Sequence, residues 1–290
     1  MLFTKMHGLG NNYVFFNLLE EPGEGMDWHE LAKEVSDVNY GIGSDGIILI
    51  CPSDVADFRM RIFNADGSEG KNCGNGLRCT ARYLVDHGYA GLSPFTIETL
   101  GGIVKVEVLP EDSRNQTERQ VRVDMGVPGL LKGDVPMQGN PRTMTINEPF
   151  EIDGRIFHMT CLSMGNPHAI IFVDDVDAFP LTVWGPKIEW AEQFPERVNV
   201  GIVRVLNERE LQYRVWERGS GITMACGTGA CAAVVASVLN NYIKMDTPVT
   251  VHLPGGDLNI VWDSQGHVWK TGPASYVCSG VLQLLMKIAP

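Results

Sequence analysis

From Gly221 to Asn240 the chain reads GITMACGTGACAAVVASVLN, and its first half has a matching stretch, NADGSEGKNCGNGLRC, from Asn64 to Cys79. Cys226-Gly227-Thr228-Gly229 repeats Cys73-Gly74-Asn75-Gly76 at a separation of 153 residues, and Met164-Gly165-Asn166 repeats Leu9-Gly10-Asn11 at 155. Two matches in the same order at nearly the same separation point to a duplicated chain, with one copy of a site in each half. In each copy a strand-like segment runs through a glycine-rich turn to a cysteine standing just before a helix. The helices are Leu77 to His87, closed by Gly88, and Ala230 to Asn240. The second is apolar on nearly every face, so it should be surrounded by protein.

Strands dominate the remainder of both halves. Ile47 to Ile50 reads as a short buried strand, and Val104 to Val108 and Val121 to Met125 alternate as strands do. The polar stretch from Pro110 to Gln120 is expected to be an exposed hairpin loop. Leu31, Val35 and Val38 recur at helical spacing, which predicts a surface helix between Trp28 and Tyr40 that stops at Gly41. Arg155 to Thr160, Ala169 to Val173, Leu211 to Trp216, Val249 to Leu253 and Leu258 to Trp262 read as strands of the second half. Gly126 to Pro149 is rich in Gly and Pro with little periodicity, and is expected to be the passage between domains. At 290 residues the chain suits two cores of ordinary size.

The composition narrows the function. With 44% hydrophobic and 20% charged residues this is a globular chain, and a net charge of −12 with no basic stripe argues against nucleic-acid or anionic-membrane partners. A small-molecule substrate is the better expectation. Glycines and asparagines interrupt the N-terminal segment where a signal peptide would be continuously apolar, and the run from Ala230 to Leu239 is about half a membrane span. A cytoplasmic protein is expected. Seven irregularly spaced cysteines do not suggest a disulfide framework, which leaves thiols for chemistry.

A cysteine at a helix N-terminus is chemically distinctive. Unpaired backbone N–H groups and the positive end of the helix dipole stabilise an adjacent anion, whether thiolate or bound carboxylate. Such a position can lower a thiol pKa from about 8.5 to roughly 3.5–7.5, giving a usable base. One cysteine followed by glycine is ordinarily a small buried hydrophobe at a turn. A duplication that supplies one to each half instead suggests a working pair, Cys73 and Cys226. Cys51, Cys79, Cys161, Cys231 and Cys278 lack the context and are expected to be core packing.

The run from Asn64 to Cys79 resembles the signature of the diaminopimelate epimerases, supported by MHGLGNNYVFF at Met6 to Phe16, GNPH at Gly165 to His168, and ERGSGITMACGTGACAA at Glu217 to Ala233. The resemblance covers essentially the whole chain. It implies an α+β fold of two similar, pseudo-symmetric α/β domains, each a mixed strand-rich sheet wrapped around a central helix. The expected domains are residues 1–126, joined by a returning C-terminal strand 272–290, and residues 127–271, with the active site between them. The implied reaction is interconversion of LL- and meso-2,6-diaminopimelate, in lysine and peptidoglycan-precursor synthesis, with no metal and no pyridoxal phosphate or other cofactor.

Position by position, the resemblance makes Cys73 and Cys226 the acid and base on opposite faces of the α-carbon. The backbone of Gly74, Asn75, Gly227 and Thr228 then holds the reacting carboxylate, where charge grows as the proton leaves. Asn11, Asn64, Asn166, Asn199, Glu217 and Arg218 match substrate-binding positions. Arg218 can grip a distal carboxylate, and Glu217 and asparagine carbonyls can accept from an ammonium. His168 and Glu217 match positions that tune the protonation of the cysteines. Some relatives carry a substrate-contacting glutamine in the region of Ser44, whose reach is shorter. Two other readings stand beside this one: a proline racemase-like isomerase, disfavoured by the NADGS run and Glu217-Arg218, and a metal or redox dithiol protein, disfavoured because neither Cys73/Cys79 nor Cys226/Cys231 has Cys-x-x-Cys spacing. A homodimer is compatible with this reading.

Overall fold

Strand β1 (Leu2–Gly8) buries alternate residues, Thr4, Met6 and Gly8, as a strand with one face in a core must. By contrast β2 (Asn11–Asn17) and β3 (Gly46–Cys51) are apolar on both faces, and they form a parallel pair with Val14 opposite Ile47. The computed structural model describes residues 1–71, 73–110 and 118–283. It divides into two compact units, Met1–Val123 with Gly272–Pro290, and Asp124–Thr271.

In the first unit β1 pairs antiparallel with β2, and the parallel step to β3 crosses through α1 (Trp28–Ser36). Then β3 pairs antiparallel with β4 (Phe58–Asn64), and β4 with the short β5 (Glu69–Gly70). A second parallel step, from β4 to β6 (Phe95–Thr99), crosses through α2 (Gly74–Asp86), and β7 (Gly102–Val108) and β8 (Glu118–Asp124) complete the ladder antiparallel. Helix α2 lies against β1, β2, β4 and β7, burying Asn75 through Leu84.

The second unit begins with β9 (Thr145–Ile152), antiparallel to β10 (Arg155–Ser163), and then repeats the first unit's order. Strand β10 is antiparallel to β11 (Pro167–Phe172), which is parallel to β12 (Asn199–Asn207) across α3 (Leu181–Glu189). Strand β12 is antiparallel to β13 (Glu210–Glu217), and β13 to β14 (Gly221–Ile222). The step from β13 to the parallel β15 (Val249–Leu253) crosses through α4 (Gly227–Leu239), and β16 (Gly256–Trp262) and the start of β17 (Val268–Val281) follow antiparallel. Helix α4 is buried without a break from Gly229 to Ser237 and packs on β10, β11, β12, β13 and β16. From Ser275 onward β17 pairs with β1 in the first unit, where Arg78 Nε of α2 donates to Pro273 O at 3.0 Å. Among the described residues no helix is long and apolar enough to cross a membrane.

Several local expectations are corrected. Helix α1 ends at Ser36, not Gly41, because the Asp37 carboxylate accepts from the backbone N–H of Asn39 and Tyr40 and turns the chain out of the helix, leaving Val38 exposed. The Gly/Pro-rich stretch 126–149 belongs to the second unit: Gly129 bridges Ser163, and Val135 and Met137 enter a core with Phe157, Met159 and Val200. Only Pro128, Val135, Met137 and Thr145 of this stretch are buried, spaced without periodicity along a backbone that is irregular up to β9. Cys278 is exposed, not packed in a core; β17 slips register opposite Lys5 and Met6, so Val277, Cys278 and Ser279 all face outward. Most of the expected 110–120 loop, 111–117, lies outside the described residues, as does 284–290 of the C-terminal strand.

Candidate active site

Turns with left-handed glycines open the two matching corners. Gly10 (φ 83°) and Gly165 (φ 86°) turn β1 into β2 and β10 into β11, placing Asn11 at the head of β2 and Asn166 immediately before β11. Asn11 is then locked: its Nδ2 donates to Asp45 Oδ2 at 2.8 Å, and its Oδ1 accepts from Asn75 Nδ2 at 3.2 Å. Asn166 Oδ1 bonds His168 Nε2 at 3.0 Å, which puts the imidazole proton on Nε2.

Cys73 is the N-cap of α2, in extended backbone, and its half-buried sulfur accepts from Gly76 N at 3.3 Å. The sulfur also lies 3.6 Å from Asn11 Oδ1 and 3.5 Å from Tyr13 Oη. Gly76 packs closely on β3, where a Cβ would stand 2.5 Å from Ile48 Cδ1 and push that side chain aside. Cys226 occupies the same place at α4, but it is only 4% exposed. Its sulfur lies 3.5 Å from Thr228 Oγ1. Burial first, then the Glu217 carboxylate, push this thiol up to about 12. The expectation of a lowered thiol pKa therefore fails at Cys226. Burial and the Glu217 carboxylate together outweigh what the helix N-terminus and the Thr228 and Gly229 hydrogen bonds offer the thiolate.

The other expected residues sort by unit. Asn11, Asn75 and Cys73 form one contact group in the first, while Asn64, exposed, donates from Nδ2 to Ser68 Oγ at 3.0 Å. In the second, Asn199 is 3% exposed with its amide committed to the protein: Nδ2 donates to Pro167 O at 2.8 Å and Oδ1 accepts from Arg218 N at 2.9 Å. Arg218 is exposed, with Nη1 on Glu196 O at 2.9 Å, and Glu217 accepts from Thr223 Oγ1. His168 is fully buried, and burial, with Arg218 second, brings its pKa down to about 3. The Ser44 hydroxyl bonds Gly46 O at 2.9 Å and Ser36 Oγ at 3.2 Å inside the first unit.

Sequence reading missed Asp45 and Tyr13 beside Cys73, and Tyr213, whose buried hydroxyl borders Cys226. A Cβ on Gly229 would stand 2.0 Å from Tyr213 Oη and 3.2 Å from Cys226 Sγ. Tyr13 and Tyr213 sit in apolar strands and read as core aromatics; only Asp45, in GSDG, carried a polar signal. Among the described residues no group of three or more His, Cys, Asp or Glu side chains is placed to hold a metal ion.

The family model described as diaminopimelate epimerase matches residues 3–131 and 160–277, which include both cysteine corners. The chain belongs to the diaminopimelate epimerase family. It is 55% identical over 279 residues to the diaminopimelate epimerase of a Geobacillus species, covering 96% of this chain and 97% of the relative. It is 54% identical over 281 residues to that of Bacillus cereus, covering 97% and 96%. Among solved structures, a phenazine biosynthesis protein of the PhzF family from Bacillus anthracis superposes with a TM-score of 0.67 at 18% identity, covering 98% of this chain and 99% of that one. A probable proline racemase from Agrobacterium radiobacter gives 0.66 at 13%, covering 99% and 94%. At such identities these neighbours share the fold, a strand-rich arrangement of two similar domains.

Proposed function

We propose that this chain interconverts LL- and meso-2,6-diaminopimelate by a two-base proton transfer in which Cys73 and Cys226 serve opposite faces of the α-carbon. The observation that carries the reading is the placement of both cysteines as N-caps of the two central helices, in a chain more than half identical to diaminopimelate epimerases. In one direction Cys73 is the base and Cys226, a thiol held protonated by burial and Glu217, is the acid. The reverse direction exchanges the roles. Backbone N–H groups of Gly74 and Asn75, and of Gly227 and Thr228, receive the α-carboxylate as the carbanion's charge spreads onto it, so no electron-withdrawing cofactor or metal is needed.

Arg218 and Glu217 recognise the distal amino-acid end, with Asn64 and Asn166 beside them, and Asn199 acts by fixing the backbone of Pro167 and Arg218. His168 remains neutral and orders Asn166. The setting is cytoplasmic synthesis of lysine and peptidoglycan precursors from a small-molecule substrate; the chain works as a homodimer, which light scattering tests.

Turnover of LL-diaminopimelate by purified protein, followed by optical rotation with proline and lysine as controls, tests the assignment. Turnover that persists in chelator and is confined to diaminopimelate supports it. Turnover of proline instead would transfer the chain to the proline racemase-like reading.

A further inference from the structure

We propose that Tyr13 is a positioning residue for Cys73, its hydroxyl bonding the sulfur in both the thiol and the thiolate state. The inference rests on the reading of Cys73 as an acid–base group, which requires the sulfur to pass between those states in each turnover. Its three hydrogen-bonding neighbours among the described residues differ in what they can do. The Gly76 amide, 3.3 Å away, only donates; Asn11 Oδ1, at 3.6 Å, only accepts; Tyr13 Oη, at 3.5 Å, can do either. Asn11 cannot turn its amide round to follow the sulfur's charge, because Asp45 holds its Nδ2 and Asn75 donates to its Oδ1. When Cys73 loses its proton, that carbonyl faces an anion, and among these three neighbours a rotation of the Tyr13 O–H replaces the lost contact with a donated one.

The ring is fixed for this purpose by β2, where Tyr13 is 6% exposed between Asn12 and the buried Val14. Burial and the neighbouring sulfur raise the phenol's pKa, so the hydroxyl keeps its own proton. The position 155 residues later, in the second copy of the repeat, is His168, so the Cys226 side has no tyrosine at the matching place; its sulfur has the Thr228 hydroxyl at 3.5 Å instead. Other ionisable groups near the pair are Asp45 and, on α2, Arg78 and Cys79. Around α2, Lys5 and His7 of β1 are held by Gly43 O and Gly10 N, Arg59 and Arg61 of β4 face Glu98 and Glu69, and on β7 Glu107 faces Arg122 while Lys105 is exposed.

A hydrogen bond to an ion is worth roughly twice a neutral one, so removing the hydroxyl costs the thiolate more than the thiol by about tenfold. The test is the rate of Cys73 alkylation by iodoacetamide against pH, read by mass spectrometry of the Cys73 peptide in the full chain. Tyr13→Phe keeps the ring and should raise the midpoint by about one pH unit and lower kcat about tenfold. A midpoint within about 0.2 of wild type would overturn the proposal, given an error of that size on a quantity expected to move by about one unit. If the variant loses its fold, 3,5-difluorotyrosine at position 13, a stronger donor, should move the midpoint down, and an unmoved midpoint there overturns it equally. Alkylation needs no turnover, so an active Cys73→Ala enzyme would sink the catalytic reading while leaving this result standing.

Discussion

At the scale of single residues the two cysteines share a backbone position and differ in environment, and the difference follows from depth. Cys73 is half-buried, whereas Cys226 is enclosed and faces a carboxylate. The pattern Cys-Gly-x-Gly announced the position, but nothing in it encodes depth, which is set by strands far away in the chain. His168 gives the same lesson, since nothing in Gly-Asn-Pro-His encodes that the imidazole is fully buried. Its consequence is measurable. The folded imidazole takes a proton only near pH 3, whereas an unfolded one does so near 6.5, so the unfolded chain binds the extra proton between those values. This group's contribution is intact above about pH 6.5 and is lost on acidification by up to about 1.4 kcal/mol per pH unit. Urea midpoints of wild type and His168→Gln across pH 7 to 4 should show a shallower loss in the variant, and parallel curves would contradict it.

At the scale of elements, the long apolar helix α4 was legible because Ala230 to Leu239 lacks any polar face, and all but its ends are buried. The end of α1 was not, since apolar spacing continued through Val38 while the Asp37 side chain competed for the backbone. Helix α3 went unread because Gly185 and Pro186 interrupt it; within it Gly185 packs against Trp216, leaving no room for a Cβ. The close approach of α4 to β13 at Gly229 is the tightest of these contacts. Gly229→Ala should cost about 1–3 kcal/mol by overpacking. Tyr213→Phe alone should be neutral or stabilising, because its buried hydroxyl has no hydrogen-bond partner among the described residues. Combined, the two should be less destabilising than their sum, and thermal denaturation of the four proteins measures this; strict additivity would place Tyr213 away from Gly229.

For the whole molecule, the repeat was the most informative feature of the sequence because it is independent of local propensity. The ladder order of the first unit recurs in the second down to its two parallel steps, Val14 opposite Ile47 and Phe58 opposite Ile97 in the first, Ala169 opposite Val200 and Leu211 opposite Val251 in the second. The Gly/Pro stretch misled because composition reports backbone regularity, not membership of a core. The same distribution of burial predicts which of the seven free thiols react in the native chain. Iodoacetamide at neutral pH should label Cys278 and Cys73 first and Cys51 slowly, with Cys79, Cys161, Cys226 and Cys231 labelled only in urea. Early labelling of Cys226 would contradict its enclosure.

The central claim, two cysteines on two faces of one carbon, is tested most directly by solvent exchange in single variants. In Cys73→Ala or Cys226→Ala the remaining sulfur can remove a proton from one face and return it only there. Mass spectrometry of LL- and meso-diaminopimelate recovered from deuterated water should show epimerisation lost in both variants. Each should keep slow α-hydrogen exchange from one stereoisomer, and the two should prefer opposite ones. Inversion at near wild-type rate by either variant would contradict the account.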